Sequence, residues 1–296
     1  MGSPPMVTHT NSAARLLSVA ASALALTVGT TALPSGPAHA ADTITAADQP
    51  YFAYYHLDQA RAKGYTGKGI TIALFDGPVD TSAPELAGAN IVDKSRCTVN
   101  DSPDGVRHAT DMATLLVSPY TGVAPDATLY TYQITSSDTQ PGGTCVRGAD
   151  TTDSIDKLIN QAVDDGAQII SISLSNSEHG SEIKWAIANA ISKGVIIVSS
   201  SGNGATDENR SHLGRWSGVV GVTAINTDGT FASYSSWGNG VVTAAVGGPY
   251  TYLDASTNQP ATTQGTSIST ALVAGMLALA RQKWPDATPN QILQSL

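Results

Sequence analysis

The chain has 296 residues, with 15 Lys and Arg against 24 Asp and Glu, which gives a formal net charge of −9 at pH 7. This acidic balance argues against a nucleic-acid partner, because DNA and RNA are bound by basic surfaces. Apolar residues make up 41% of the chain and charged residues 13%, which suits a packed core and is unlike a disordered composition.

The first forty residues have the organisation of an export signal. Arg15 supplies a positive charge, residues 16–28 form a short apolar run, and residues 38–40 (Ala-His-Ala) form a small-x-small cleavage site. We therefore predict that residues 1–40 are a signal peptide cleaved after Ala40 and that the product is secreted. A buried N-terminal helix is the alternative. We expect no membrane span, because no later apolar run is long enough.

Two cysteines, Cys97 and Cys145, are present in the whole chain. In an oxidising compartment such a pair favours a disulfide, and two thiols alone are a poor metal site. The bond would close a loop of 48 positions and, in the chain-entropy model, stabilise the fold by roughly 4 kcal/mol. We predict a disulfide here and no metal site elsewhere.

Apolar runs bounded by glycine alternate with helical patterns along the remaining chain. We predict strands over 70–75, 128–134, 168–174, 195–200, 216–224, 231–235 and 241–246. We predict helices over 50–63, 109–117, 151–165, 182–193 and 266–283, and a loop over 103–107. This alternation is typical of an α/β fold with three layers, in which a mainly parallel sheet carries helices on both faces.

The segment that begins with Gly265, Thr266 and Ser267 opens a helix of small apolar residues that stops before Pro285. A serine in this place is most often a helix N-cap. The same position puts its hydroxyl at the positive end of the helix dipole, beside backbone N–H groups that lack helical partners. Such a site can also stabilise an oxyanion, and other residues must decide between the two interpretations.

Further polar residues stand at the ends of predicted strands and at a predicted helix start. Asp76 follows the first strand, His108 is expected to open a helix, and Asn203 lies in a Gly-Asn-Gly turn after a strand. Each alone is readily a cap, a turn former or a surface residue. Together with Ser267, however, they give the chain order Asp, His, Ser of one convergent hydrolase triad.

The chemistry of these side chains assigns a role to each. Ser267 is a weak nucleophile until a base takes its proton, and His108 titrates near neutrality and can be that base. Asp76 would orient the imidazole and stabilise its charged form. Asn203 would donate its side-chain amide to the oxyanion, with the backbone N–H of Ser267 as the second donor.

The sequences around these residues resemble the subtilisin-like serine peptidases, or subtilases. The matching motifs are residues 69–76, 122–127, 200–203, 233–238, 265–267 and 273–275. The resemblance covers residues 64–296 and implies a subtilisin-like peptidase domain, preceded by a leader over 41–63 that resembles that of mycosins. It also implies a serine endopeptidase, a monomer without cofactor, that hydrolyses peptides or proteins through an acyl-enzyme.

The resemblance extends to the strand edge that binds substrate. It assigns Ser173, Leu174, Ser175 and Gly202 to substrate binding. Ser175 and Asn176 replace two glycines of the family pattern and are expected to narrow the pocket.

The surroundings of the histidine depart from the family pattern. Members read Gly-His-Gly-Thr-His, whereas residues 107–111 read Arg-His-Ala-Thr-Asp. Arg107 would lower the pKa of His108 if it pointed inward. The departures leave a secreted, peptide-binding pseudoprotease as the alternative function. A working triad predicts that the side chains of Ser267 and His108 lie within hydrogen-bonding reach.

A lipase-type hydrolase is disfavoured, because Ser267 is not in a Gly-x-Ser-x-Gly sequence.

Overall fold

A seven-stranded sheet runs through the computed structural model, which describes residues 44–146, 154–174, 180–207 and 213–296. In chain order the strands of the described residues are β1 (Thr71–Asp76), β2 (Ile91–Asp93), β3 (Asn100–Asp101), β4 (Thr128–Gln133), β5 (Thr139–Gln140), β6 (Ile169–Ile172), β7 (Ile196–Ser200), β8 (Val219–Ile225), β9 (Val241–Val246), β10 (Tyr250–Asp254) and β11 (Gln259–Thr263). The sheet order is β2-β4-β1-β6-β7-β8-β9, and every neighbouring pair is parallel.

Helices cover both faces of this sheet. In chain order they are α1 (Pro50–Tyr54), α2 (Leu57–Ala62), α3 (Pro103–Val117), α4 (Ile155–Asp164), α5 (Ser181–Ser192), α6 (Thr266–Lys283) and α7 (Pro289–Leu293). One apolar core lies between the sheet and helices α3 and α6, and a second lies between the sheet and helices α4 and α5. The predicted three-layer α/β fold is therefore confirmed.

Strand β1 is buried on both faces of the sheet and contributes side chains to both cores. Ile72 and Leu74 pack into the core of α3 and α6, whereas Ala73 and Phe75 pack into the core of α4 and α5. Side chains alternate between the faces of a strand, so a strand buried on both faces must be continuously apolar. The run ends at Asp76, which thus lies at the carboxyl edge of the sheet.

Helix α6 crosses the first core with the bounds predicted from the sequence. It begins after Gly265 and ends at Lys283, and most of its first twelve residues are buried. Small side chains allow this helix to lie close to its neighbours, and the closest approach is at Gly275. A Cβ atom on Gly275 would lie 2.6 Å from the Cβ of Val123.

Helix α3 begins six residues earlier than predicted. The Ser102 side chain caps it by accepting a hydrogen bond from the Gly105 N–H, and Pro103 occupies the first turn. Proline fits there because the first N–H groups of a helix have no helical partner. The predicted loop over 103–107 was wrong for this reason, and His108 lies in the second turn of the helix instead of opening it.

Other differences arise where local turns override a sequence pattern. Residues 231–235, predicted as a strand, form turns with a single bridge between Ile225 and Phe231. The predicted helix over 50–63 is divided into α1 and α2 at His56, whose φ of 52° is left-handed. The hairpin of β10 and β11 was not predicted, because its strands are half-exposed and lack an apolar run.

The predicted disulfide between Cys97 and Cys145 is present. It lies beside the two-stranded ribbon of β3 and β5, which pair antiparallel. Among the described residues, no helix is both long enough and apolar enough to cross a membrane.

We expect Gly275→Ala to destabilise the protein. Alanine improves helix propensity by about 1 kcal/mol. The new methyl group would overlap Val123, and overpacking a core costs about 1–3 kcal/mol. We therefore predict a net loss of up to about 2 kcal/mol in the free energy of unfolding, measured by urea denaturation. A variant more stable than the wild type would contradict the close contact.

Candidate active site

The carboxyl edge of the sheet brings together the four polar residues that the sequence singled out. Asp76 ends β1, and Asn203 follows β7 in a turn. His108 lies on α3, and Ser267 is the second residue of α6. Ligand and catalytic groups of open α/β sheets collect at this edge, because the loops after parallel strands meet there.

Asp76 and His108 form a direct pair. His108 Nδ1 lies 3.0 Å from Asp76 Oδ1, and only 2% of the aspartate side chain is exposed. The Gly77 N–H donates a second hydrogen bond to the same oxygen, at 2.8 Å. An ionised carboxylate can only accept, so Nδ1 must carry the ring proton. The other ring nitrogen, Nε2, is then left as an acceptor, which is the form a general base needs.

The pKa of His108 lies above its ordinary value. Burial alone would lower it, but the charge of Asp76 and the hydrogen bond to it outweigh the burial. Asp111 raises the pKa further, and Arg107 lowers it by the smallest of these effects. The expected lowering by Arg107 therefore has the right sign but does not decide the net direction.

Arg107 is held in place by one residue of α3 and one residue of β10. Its Nη1 lies 2.7 Å from Asp111 Oδ2, and its guanidinium stacks 4.5 Å from the centre of the Tyr252 ring. Asp111 is only 6% exposed, and burial raises its pKa to about 7 although Arg107 and His108 both oppose the shift. Two of the three departures from the family pattern, Arg107 and Asp111, thus pair with each other, and Ala109 is the third.

Ser267 is engaged with the end of the β6 strand. Its hydroxyl donates to the Ser173 carbonyl oxygen at 2.9 Å, and the Ser173 hydroxyl donates to the Ser267 carbonyl oxygen at 3.3 Å. Between the described side chains of Ser267 and His108 there is no hydrogen bond, in contrast to the expectation. The Ser173 carbonyl competes for the same proton, and catalytic hydrogen bonds often tighten only when substrate binds.

Asn203 has its side-chain amide oriented by the start of α6. Its Oδ1 accepts from the backbone N–H and from the hydroxyl of Thr266, both at 2.9 Å. Because a backbone N–H can only donate, the amide oxygen must face Thr266, and the amide nitrogen Nδ2 points elsewhere. A Cβ on Gly265 would lie 3.2 Å from Nδ2, so the donor lies beside the mouth of the helix.

Thr266 is a site residue that the sequence reasoning did not assign. Its hydroxyl accepts from the Gly202 N–H at 3.2 Å while it donates to Asn203. It therefore ties the turn after β7 to the helix that carries Ser267. Its position between the motif residues Gly265 and Ser267 was the available signal.

The residues assigned to substrate binding lie beside Ser267 where they are described. Ser173 is buried and Leu174 is half-buried directly after β6, and Gly202 adopts a φ of 96° after β7. Ser175 lies outside the described residues. Among the residues that are described, no group of three or more His, Cys, Asp or Glu is arranged to hold a metal ion.

Comparison with known proteins assigns this arrangement to a family. Residues 67–296 match the model of the Subtilase family. The chain is 28% identical over 249 residues to "Thermostable alkaline protease" of Halalkalibacterium halodurans, an alignment that covers 82% of this chain and 65% of the relative. The chain thus spans slightly less than two thirds of that protein's length.

Solved structures agree on the fold. The "Prenylagaramide maturation protease PagA" matches with a TM-score of 0.66 at 22% identity, covering 81% of this chain and 86% of that one. MycP1, described as "an essential component of the type VII (ESX-1) secretion system", matches with a TM-score of 0.66 at 23% identity, covering 86% and 82%. The chain belongs to the subtilase family, whose members in these comparisons are serine peptidases.

The Asp76 pair predicts how the His108 imidazole titrates. We expect NMR titration to give His108 a pKa above its ordinary value near 6.5, and Asp76→Asn to lower it, since the variant loses the larger favourable effect. Because the folded-state pKa is the raised one, the stability this pair contributes is complete below pH of about 6.5 and is lost as pH rises through the folded-state pKa.

The exposed Asp286 provides the control, because Asp286→Asn removes one charge far from the pair. A His108 pKa at or below the ordinary value, or one that Asp76→Asn leaves unchanged, would contradict the pairing.

Proposed function

We propose that this protein is an exported serine endopeptidase that uses Asp76, His108 and Ser267 as its catalytic triad. The observation that carries the proposal is the 3.0 Å contact between Asp76 and His108 beside the helix mouth that presents Ser267. Membership of the subtilase family supports the same chemistry. The substrates are peptides or proteins, and the protein acts as a monomer.

The reaction begins when the Ser267 hydroxyl turns from the Ser173 carbonyl toward His108 Nε2. His108 takes the hydroxyl proton as Oγ attacks the carbonyl carbon of the scissile peptide bond. The ring then carries a positive charge, which the Asp76 carboxylate stabilises at 3.0 Å. The tetrahedral intermediate collapses as His108 gives the proton to the leaving amine, and an acyl-enzyme on Ser267 remains. Water, activated by His108, hydrolyses that ester.

The oxyanion of the intermediate requires two donors. Asn203 Nδ2 supplies one, because its amide oxygen is committed to Thr266. The backbone N–H of Ser267 supplies the other, since the first N–H groups of α6 have no helical partner. Donors that are fixed before the reaction cost no reorganisation when the charge develops. The substrate backbone lies along Ser173 and Leu174 on one side and Gly202 on the other.

The alternative of a pseudoprotease that binds peptides without turnover finds no support in the family comparison. The one feature in its direction is the Ser267 hydroxyl, which bonds to Ser173 and not to His108. The family comparison therefore favours the active enzyme over the pseudoprotease.

Ser267→Ala should abolish peptide hydrolysis. Removing a triad nucleophile lowers kcat by about 10⁴-fold or more. The wild type should also react with a fluorophosphonate probe, and the variant should not. Ser269→Ala is the matched control, because Ser269 lies on the same helix but donates to the Ala245 carbonyl. A folded wild type that neither hydrolyses peptides nor accepts the probe would favour the pseudoprotease.

Asn203→Ala should lower kcat by about 10²–10³-fold with little change in KM, because one oxyanion donor acts mainly in the transition state. The measurement is steady-state hydrolysis of a chromogenic peptide. A change confined to KM would instead assign Asn203 to substrate binding.

Export is tested by the mature N-terminus. When the full chain is produced in a Sec-competent bacterium, Edman sequencing of the protein in the medium should begin at Ala41. Protein retained in the cells with residues 1–40 still attached would contradict a cleaved signal.

A further inference from the structure

A pocket of about 610 Å³ lies beside α3, and His108 is not among its lining residues. One wall is formed by Val106, Arg107, Thr110, Asp111 and Thr114, residues that recur on one helical face. The other walls come from the turn at Pro84–Leu86, strand β10 and the leader. We call it the acidic pocket. Its α3 wall contains two of the three departures from the family's histidine motif, Arg107 and Asp111.

The acidic pocket is lined by many more negative than positive side chains. Six carboxyl side chains line it: Asp80, Glu85, Asp101, Asp104, Asp111 and Asp254. The only cation among its lining residues is Arg107, which is already paired with Asp111 at 2.7 Å and with Asp104 at 3.6 Å. An excess of carboxylates in a recess creates a negative potential that attracts cations.

Two of these carboxyls repel each other in a partly dry environment. Glu85 is half-buried, has no hydrogen bond or ion pair among the described residues, and acts on Asp111 through its charge. Burial and this repulsion hold the pKa of Asp111 at about 7 in spite of Arg107. A bound cation would stabilise both ionised carboxylates.

A second observation is independent of the acids. Thr121 lines the same pocket and is only 1% exposed, yet its hydroxyl oxygen has no hydrogen-bond partner among the described residues. A buried hydroxyl without a partner costs free energy, so this oxygen is suited to accept a hydrogen bond from a bound group.

The remaining walls fix the kind of cation. Val106, Tyr250, Tyr252 and Leu253 give the pocket apolar surface between its carboxylates. Lysine and arginine side chains match such a surface, because they bury an alkyl stem while their charged end reaches polar groups. The volume is within the range of specific ligand sites, large enough for a basic side chain and part of the adjoining peptide.

We propose that the acidic pocket binds a lysine or arginine side chain of the peptide substrate, with Glu85 and the Thr121 hydroxyl as acceptors. The inference rests on the proposed function only in treating the bound peptide as a substrate. Binding of a basic peptide itself does not depend on turnover. A helix is about 10–12 Å wide, so the pocket lies roughly three or four extended residues from the base on the neighbouring face of α3. The pocket thereby selects substrates that carry a basic residue several positions away from the scissile bond.

The test is equilibrium binding to full-length mature protein carrying Ser267→Ala, which prevents cleavage. The probe is a fluorescein-labelled decapeptide of alternating lysine and alanine, compared by fluorescence anisotropy with the same peptide acetylated on every lysine. Acetylation keeps the stem and removes the charge. We expect the lysine peptide to bind at least about ten-fold more tightly at 150 mM salt.

Variants separate the pocket from the general negative charge of the protein. In the Ser267→Ala background, Glu85→Gln and Thr121→Val should each weaken binding of the lysine peptide about three- to ten-fold. Glu85→Lys should abolish the preference for the lysine peptide over the acetylated peptide. Asp286→Asn removes one exposed carboxylate outside the pocket and should leave the affinity unchanged. Near-UV circular dichroism checks that each variant is folded.

Equal affinity for the two peptides would overturn the inference, and so would an effect of Asp286→Asn as large as that of Glu85→Gln. Failure of the proposed function is seen separately, as a wild type that does not react with the fluorophosphonate probe. The two results come from different measurements and cannot be confused.

Discussion

The carboxylate of Asp76 is the group on which the rest of the site depends. It is almost completely buried at the end of β1, and a buried charge is stable only when it is paired and hydrogen-bonded. The Gly77 N–H and the His108 ring supply these partners. The same contact fixes the ring tautomer, raises the pKa of His108 and leaves Nε2 facing away from the carboxylate. A structural requirement of the fold thus prepares His108 for its proposed role as base.

Ser267, the proposed nucleophile, is positioned by a separate network. Thr266 joins the turn of Gly202 and Asn203 to the start of α6, and Ser173 joins the end of β6 to Ser267. These hydrogen bonds are independent of the Asp76 pair, so the two halves of the site meet only because the sheet brings its strand ends to one edge. Helix α6 packs closely against its neighbours, and at Gly275 there is no room for a Cβ atom beside Val123.

The departures from the family pattern around His108 change the face of α3 that carries Arg107 and Asp111 more than they change the surroundings of the His108 ring. Arg107 and Asp111 pair on the face of α3 that neighbours the one carrying His108, where they form part of the wall of the acidic pocket. Their charges still reach the ring, Asp111 raising its pKa and Arg107 lowering it. The motif can therefore change at positions 107 and 111 while His108 keeps its Asp76 partner.

Much of this was accessible from the sequence, because burial and turn chemistry leave clear patterns. The apolar run before Asp76, the small-residue helix after Gly265 and the pairing of Cys97 with Cys145 were all predicted. The start of α3 was missed, since Ser102 and Pro103 fit a turn as well as a helix start. The half-exposed β10–β11 hairpin and the acidic pocket depend on tertiary contacts between distant segments, which no local pattern encodes.

The central claim is that the Asp76–His108 pair makes Ser267 a nucleophile that forms an acyl-enzyme. Stopped-flow hydrolysis of a p-nitrophenyl ester, followed by peptide mass spectrometry of the quenched enzyme, tests it most directly. The account predicts a burst of about one equivalent of nitrophenol per enzyme, with the acyl group on Ser267. A folded enzyme that shows no burst, or that carries the acyl group on another residue, would contradict it.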